Sequence, residues 1–99
     1  MNEGIKHMVI FNLKDNSPSH ADKFFEDSRK ILSNIPGVAD FEIFKQVSKK
    51  NDYQYGFSMF FANEDAYKAY NEHVDHIEYV KNIWLKDVET FMEIDFQLK

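Results

Sequence analysis

Residues 53–61 read YQYGFSMFF, a run of aromatic and apolar side chains that is typical of a buried β-strand. Because successive side chains of a strand point to opposite faces, this run presents apolar groups on both sides. The larger set shares one face and comprises Tyr53, Tyr55, Phe57, Met59 and Phe61, whereas Phe60 lies with Gly56 on the other. Helices can cover only one face of a sheet, so the second apolar face needs another partner.

Strands and helices alternate around this run in a regular order. Residues 5–14 form a second strand that is apolar on both faces. Apolar residues at spacings of three and four predict a helix over residues 17–34, which ends before Pro36. Further patterns predict strands at residues 38–47 and 88–98, and helical stretches that begin at Asn63 and continue past Asp75.

The order strand, helix, strand, strand, helix, strand predicts an α+β fold of the ferredoxin-like kind, with both helices on one face of a four-stranded antiparallel sheet. The 99 residues supply enough apolar material for one core, so we expect a single domain over residues 1–99. A monomer would leave the second apolar sheet face in water. We therefore expect a homodimer packed sheet to sheet, since two-fold dimers are the commonest oligomers.

Composition and charge exclude several classes of function. The formal net charge of -5 disfavours nucleic acid as a partner, because affinity for phosphates comes mainly from Lys and Arg. The absence of Cys excludes disulfides, thiol nucleophiles and Cys-ligated zinc. No stretch has the length and apolar character of a membrane helix. These features lead us to expect a cytoplasmic protein without a membrane partner.

Four short motifs occur together along the chain. They are His7-Met8-Val9-Ile10-Phe11, Ile35-Pro36-Gly37-Val38, Ala69-Tyr70-Asn71-Glu72-His73-Val74-Asp75-His76 and Asp95-Phe96. With these motifs the chain resembles the stress-responsive dimeric α/β-barrel (Dabb) family over nearly its whole length. That resemblance implies a dimeric α+β barrel of ferredoxin-like protomers, each with a pocket between helices and sheet. Val74 stands where the family's His-Pro-x-His motif has proline, so the local backbone can differ.

The resemblance also implies candidate site residues. By position, the catalytic pair of a plant polyketide cyclase in this family, which uses no metal or cofactor, falls on Tyr70 and His76. The other candidate ligand-binding residues are His7, His73, Phe25, Ser28, Tyr55 and Phe57. Of these, Tyr55, Ser28 and Phe57 differ from the cyclase's own pocket residues, so its substrate is not carried over.

The chemistry of the candidate pair depends on a helix through residues 70–76, which would place Tyr70, His73 and His76 on one side at spacings of three. Histidine can accept a proton from a carbon next to a carbonyl, while tyrosine can donate a hydrogen bond to the oxygen on which charge develops. In the alternative interpretation, His73 and His76 bond backbone or carboxylate groups and fix the loop. A metal site is disfavoured, because this spacing is not that of helical zinc ligands and no further ligand is apparent.

Aromatic residues have a structural interpretation beside the functional one. Phe24, Phe25 and Phe57 are most economically core residues, because aromatic side chains at helix or strand spacing usually pack together. Trp84 is expected to hold the last helix against the sheet in preference to closing a pocket.

Three functions remain open. The first is binding of a small apolar or aromatic molecule in a pocket near Tyr70 and His76. The second is a cofactor-free lyase or polyketide cyclase acting on a β-keto substrate, with His76 as base and Tyr70 as hydrogen-bond donor. The third is a non-catalytic stress-response protein in which the histidines are structural.

Overall fold

The structure is a computed structural model, and it describes residues 3–99. Its strands are β1 (Ile5–Leu13), β2 (Ala39–Lys45), β3 (Tyr55–Phe61) and β4 (Val88–Phe96). Its α-helices are α1 (Pro18–Leu32), α2 (Glu64–Glu72), α3 (Val74–Tyr79) and α4 (Leu85–Asp87), with a π-helical turn at Val80–Trp84. Within the described residues, no helix combines the length and apolar character that crossing a bilayer requires.

The four strands form one antiparallel sheet in the order β2-β3-β1-β4. This order places β1 and β3, the two strands that are apolar on both faces, at the centre of the sheet, where strands are most shielded from solvent. The helical segments between β3 and β4 pack beside α1, and α1 contacts α3. The predicted ferredoxin-like α+β fold is therefore confirmed, and each strand lies within the residues expected for it.

The inner face of the sheet, toward the helices, carries the core. Ile5, Val9 and Phe11 of β1 lie opposite Phe61, Phe57 and Tyr55 of β3. Phe11 and Phe57 are 0% and 1% exposed, and their rings meet edge to face at 4.8 Å between centroids. The core interpretation of Phe57 and of Phe24, which stacks on it at 6.0 Å, agrees with this packing. These large rings supply much of the apolar area buried by the protomer.

The outer face of the sheet has no helix over it in the described chain. It carries the second apolar set along four strands: Met8, Ile10, Phe44, Phe60, Met92, Ile94 and Phe96. Phe60, Met92 and Phe96 are 38%, 48% and 51% exposed. Apolar residues that share one exposed sheet face in this way are typical of an interaction surface.

A β-bulge explains why β4 departs from simple alternation. The pairing of β1 with β4 shifts between Asn12 and Leu13, so that Val88 lies opposite Leu13 and Phe91 lies opposite Phe11. Val88 before the bulge and Phe91 after it therefore both reach the inner face, while Met92 and the later apolar residues Ile94 and Phe96 point outward.

The helix ends show which sequence signals operate. Asn63 caps α2, because its side-chain oxygen accepts a hydrogen bond from the backbone N–H of Ala66 at 2.8 Å. Ser17 precedes α1 with extended backbone but makes no side-chain cap bond, and Pro18 begins the helix. Gly37 turns the chain into β2 with φ of 92°, a conformation that other residues rarely adopt.

The helix expected through residues 70–76 is interrupted. His73 has φ of -66° and ψ of 138°, which is extended backbone, so α2 ends at Glu72 and α3 begins at Val74. Tyr70, His73 and His76 therefore do not share one continuous helical face, so the condition of the spacing argument is not met, and the chain has the break between two helical pieces that the alternative interpretation places there. The π-helical turn that follows was not predicted, because its apolar pattern resembles that of an ordinary helix.

Candidate functional site

A cavity of about 320 Å³, the central cavity, lies between the inner sheet face and the helices. Strands β1, β3 and β4 supply one wall, and residues from α1 through α4 supply the other. Its lining is mostly apolar and aromatic and consists of His7, Val9, Leu32, Phe57, Met59, Tyr70, Asn71, His76, Tyr79, Val80, Trp84, Leu85, Phe91 and Glu93. A concave apolar space with few polar groups is the usual form of a small-molecule site.

Tyr70 is the most deeply placed polar group of this lining. It lies near the end of α2 and is 2% exposed, and burial is the main cause that raises the pKa of its phenol. Within residues 3–99 its hydroxyl makes no hydrogen bond. Tyr70 is thus a neutral phenol whose polar tip has no protein partner.

Neighbouring tyrosines differ from Tyr70 in this respect. The Tyr79 hydroxyl lies 2.6 Å from the Oγ of Ser28, and the Tyr55 hydroxyl donates to Asn16 at 2.5 Å. The Tyr67 hydroxyl donates to the carboxylate of Asp95 at 3.0 Å. Each of these hydroxyls is satisfied inside the protein, as buried polar groups usually are. Unlike these three hydroxyls, that of Tyr70 has no hydrogen-bond partner within residues 3–99.

His76 approaches Tyr70 across the interruption at residue 73. Their rings lie 4.4 Å apart between centroids. Burial is the main cause that lowers the pKa of His76, and the nearby His7 acts in the same direction. The Asn71 backbone and Glu93 act in the opposite direction. The imidazole is therefore neutral at neutral pH and can accept a proton.

His7 faces the cavity from the sheet side. It lies in β1 and is 5% exposed, with its ring 6.4 Å from that of Tyr70. Its Nδ1 lies 2.5 Å from Oδ1 of Asp95, which is its pairing partner on β4. The structure thus places His7, His76 and Tyr70 in the lining of the same cavity.

Four of the expected ligand-binding residues lie outside the cavity lining. His73 caps α3, since its Nδ1 accepts the backbone N–H of Asp75 at 3.0 Å, as the structural interpretation of that histidine expects. Phe25 and Tyr55 pack edge to face at 4.8 Å. The Oγ of Ser28 lies behind the lining, 2.6 Å from the hydroxyl of Tyr79. Of the six residues, the cavity brings together only His7 and Phe57.

Sequence reasoning missed several lining residues. Trp84 holds the helical segment to the sheet, as expected, through Phe11 at 5.0 Å, but it also borders the cavity. Glu93 was missed because it shares a largely polar parity of β4 with Asp95, and such a parity is typical of a solvent-facing side. Tyr79 had no usable signal, since an aromatic residue in a helix is most often core. Among residues 3–99 no group of three potential metal ligands occurs.

The fold and the central cavity define a class of protein: ferredoxin-like α+β domains with a cavity between sheet and helices. Within that class, the chain belongs to the family described as the Stress responsive A/B Barrel Domain, or Dabb, whose model matches residues 5–98. The resemblance drawn from the sequence is confirmed.

Individual relatives agree with this assignment. A stress-response A/B barrel domain-containing protein of Arabidopsis thaliana is 28% identical over 80 residues, which cover 77% of this chain and 70% of that protein. The crystal structure of a Dabb family protein from Mesorhizobium loti is 45% identical, with a TM-score of 0.92 over 97% of this chain and 96% of its own. A dimeric ferredoxin-like protein from Thermobifida fusca, 21% identical, shares the fold with a TM-score of 0.79 over 96% of this chain and 91% of its own.

Proposed function

We propose that the protein is a homodimer in which each subunit binds one small apolar or aromatic molecule in the central cavity. The observation that carries this proposal is the unpaired hydroxyl of Tyr70 in a cavity whose lining is mostly apolar and aromatic. The hydroxyl oxygen is not among the fully buried unpaired atoms of the described residues, which are Asn12 Oδ1 and Ser58 Oγ, so it is open to the cavity and can bond a ligand there. A ligand with an aromatic ring and one hydrogen-bonding group fits both the walls and this hydroxyl.

The outer sheet face supports the homodimer. Its apolar residues include Phe60 and Phe96, which are half-exposed in the protomer, and the fold relative from Thermobifida fusca is described as dimeric. A second copy packed on this face would cover it and leave the central cavity, on the opposite side of the sheet, accessible. Sedimentation of the purified protein at micromolar concentration tests this, and a stable protomer would contradict it.

A thermal-shift screen tests ligand binding, because a ligand that prefers the native state raises the melting temperature. A screen of small aromatic and polyketide-like compounds should yield ligands that stabilise the wild-type protein. The variant Val80→Phe, which fills the cavity from the π-helical turn, should lose the response. Ile83→Phe is the matched control, since Ile83 lies in the same turn but does not line the cavity. An equal response in all three proteins would contradict binding in this cavity.

A cofactor-free lyase or cyclase is the second candidate function. It is favoured by the 4.4 Å approach of a neutral imidazole, His76, to a neutral phenol, Tyr70. His76 would take the proton from a carbon next to a carbonyl, and Tyr70 would donate to the developing enolate oxygen. With a β-keto substrate, Tyr70→Phe and His76→Gln should each lower kcat by about a hundredfold or more. If the wild-type protein binds such a compound but does not convert it, the result would be consistent with ligand binding and would contradict the lyase or cyclase function.

A further inference from the structure

His7 lines one cavity and contacts two residues that line another. One is the central cavity, which His7 lines together with Glu93. The other is an open groove of about 590 Å³ whose lining includes Tyr67 and Asp95. The two ring nitrogens of His7 have different neighbours. The two tautomers of the neutral ring, with the proton on Nδ1 or on Nε2, therefore make different hydrogen bonds.

Nδ1 of His7 faces the groove side. It lies 2.5 Å from Oδ1 of Asp95 and 3.0 Å from the hydroxyl of Tyr67. The Tyr67 hydroxyl also reaches both oxygens of Asp95, at 3.1 and 3.0 Å. The simplest assignment gives the carboxylate two donors, the Tyr67 O–H and the His7 Nδ1–H. A bare Nδ1 would instead place its lone pair against a carboxylate oxygen, which is repulsive.

Nε2 of His7 then carries the lone pair on the cavity side. The nearest acid there is Glu93, whose Oε1 lies 3.9 Å away, beyond hydrogen-bond distance. The Glu93 side chain is 59% exposed, so water solvates its charge. Asp95 thus holds the ring at Nδ1, and Nε2 is free to accept a hydrogen bond. A carboxylate fixes the tautomer of an imidazole in the same way in metal sites and in catalytic triads.

We infer that Nε2 of His7 is the hydrogen-bond acceptor that recognises a neutral, hydroxyl-bearing aromatic ligand, and that Asp95 and Tyr67 are positioning residues which fix its tautomer. This inference rests on the proposed function and names the chemical class of its ligand. Glu93, which also lines the cavity, favours neutral ligands over anionic ones, because its negative charge repels a carboxylate. A phenol meets both conditions, since it donates one hydrogen bond and carries no charge.

Nitrogen NMR of the imidazole tests the tautomer without any ligand. At about pH 8 we expect the proton of His7 on Nδ1 and the shift of an unprotonated nitrogen at Nε2. In Asp95→Asn the amide can donate to Nδ1, so the proton should move to Nε2. Asp75→Asn is the control, because Asp75 lies beside another histidine, His73. A wild-type ring with its proton on Nε2, or on both nitrogens, would overturn the inference.

Three probes of similar size then test recognition: phenol, anisole and benzoate. Phenol should bind the wild type about tenfold more tightly than anisole, which lacks the donor, since one net hydrogen bond corresponds to that factor. Benzoate should bind the wild type more weakly than phenol. In Glu93→Gln the difference in affinity between these two probes should be smaller, because the negative charge of Glu93 is removed. In Asp95→Asn the preference for phenol over anisole should disappear. NMR titration, which follows cavity residues directly, gives the affinities.

The two proposals fail in different ways. If phenol and anisole both bind in the cavity with equal affinity, the role of His7 is refuted and the ligand-binding function stands. If no aromatic compound from the wider screen binds, the proposed function fails, and this inference fails with it even when Nδ1 carries the proton.

Discussion

The rings of Tyr70 and His76 lie 4.4 Å apart, although the helix that carries Tyr70 ends before residue 73. His73 breaks the helix and caps the next one, and this change of direction aims His76 back toward the central cavity. The candidate pair is thus assembled by a helix interruption where a continuous helical face had been expected.

Replacing Tyr70 with Phe should leave the free protein as stable as the wild type, within about 0.5 kcal/mol, because no hydrogen bond of the described chain is lost. Ligand affinity should nevertheless fall. Tyr79→Phe is the matched comparison: it leaves the hydroxyl of Ser28, which is 0% exposed, without its partner and should cost about 1–3 kcal/mol. Urea unfolding measures both variants. A large loss in Tyr70→Phe would show that its hydroxyl is already satisfied within the protein.

His73→Ala should lower the free energy of unfolding by about 0.5–2 kcal/mol, the usual cost of losing a helix N-cap. The Nδ1 of His73 accepts the backbone N–H of Asp75, and alanine has no acceptor. His73→Asn should restore most of the stability, since asparagine is among the preferred caps. Neither variant should change ligand affinity, because His73 does not line the cavity. A changed affinity with unchanged stability would give His73 the functional role instead.

The sequence predicts the sheet more completely than the site. Alternation in residues 53–61 decides both faces of β3, because period-two patterning acts locally. The π-helical turn escapes prediction, since its apolar spacing resembles that of an ordinary helix, and the sequence leaves open whether residues 70–76 form one helix or two pieces joined by a loop. The contact of His7 with Asp95 joins residues 88 positions apart, so only the strand pairing reveals it.

His76 should make stability depend on pH in a defined direction. Its pKa in the folded protein is below the ordinary 6.5, mainly through burial. Above about pH 6.5 both states are neutral at this group, and its contribution to stability is fully present. As the pH falls through the folded-state pKa, the unfolded chain has already taken up a proton, so the free energy of unfolding decreases.

Urea unfolding from about pH 8 to pH 5, at one fixed protein concentration, measures this dependence. His76→Gln should show a flatter decrease than the wild type over the acidic half of the range, because glutamine does not titrate. The difference between the two proteins isolates His76 from the other histidines. Parallel curves would mean that the imidazole titrates alike in both states.

A lysine on the outer sheet face should dissociate the proposed dimer. Met92 lies opposite Ile10 there and is 48% exposed in the protomer, so Met92→Lys would place a charge in the sheet-to-sheet contact. Burying an unpaired charge is costly, and we expect the dimer to weaken by at least about a hundredfold, or 2.7 kcal/mol. Ile77→Lys is the matched control, because Ile77 is 51% exposed but lies on α3, away from the sheet. Sedimentation across a range of concentrations should show protomers for Met92→Lys only. If both variants stay dimeric, the copies pack through a different surface; if both dissociate, the helical side contributes to the contact.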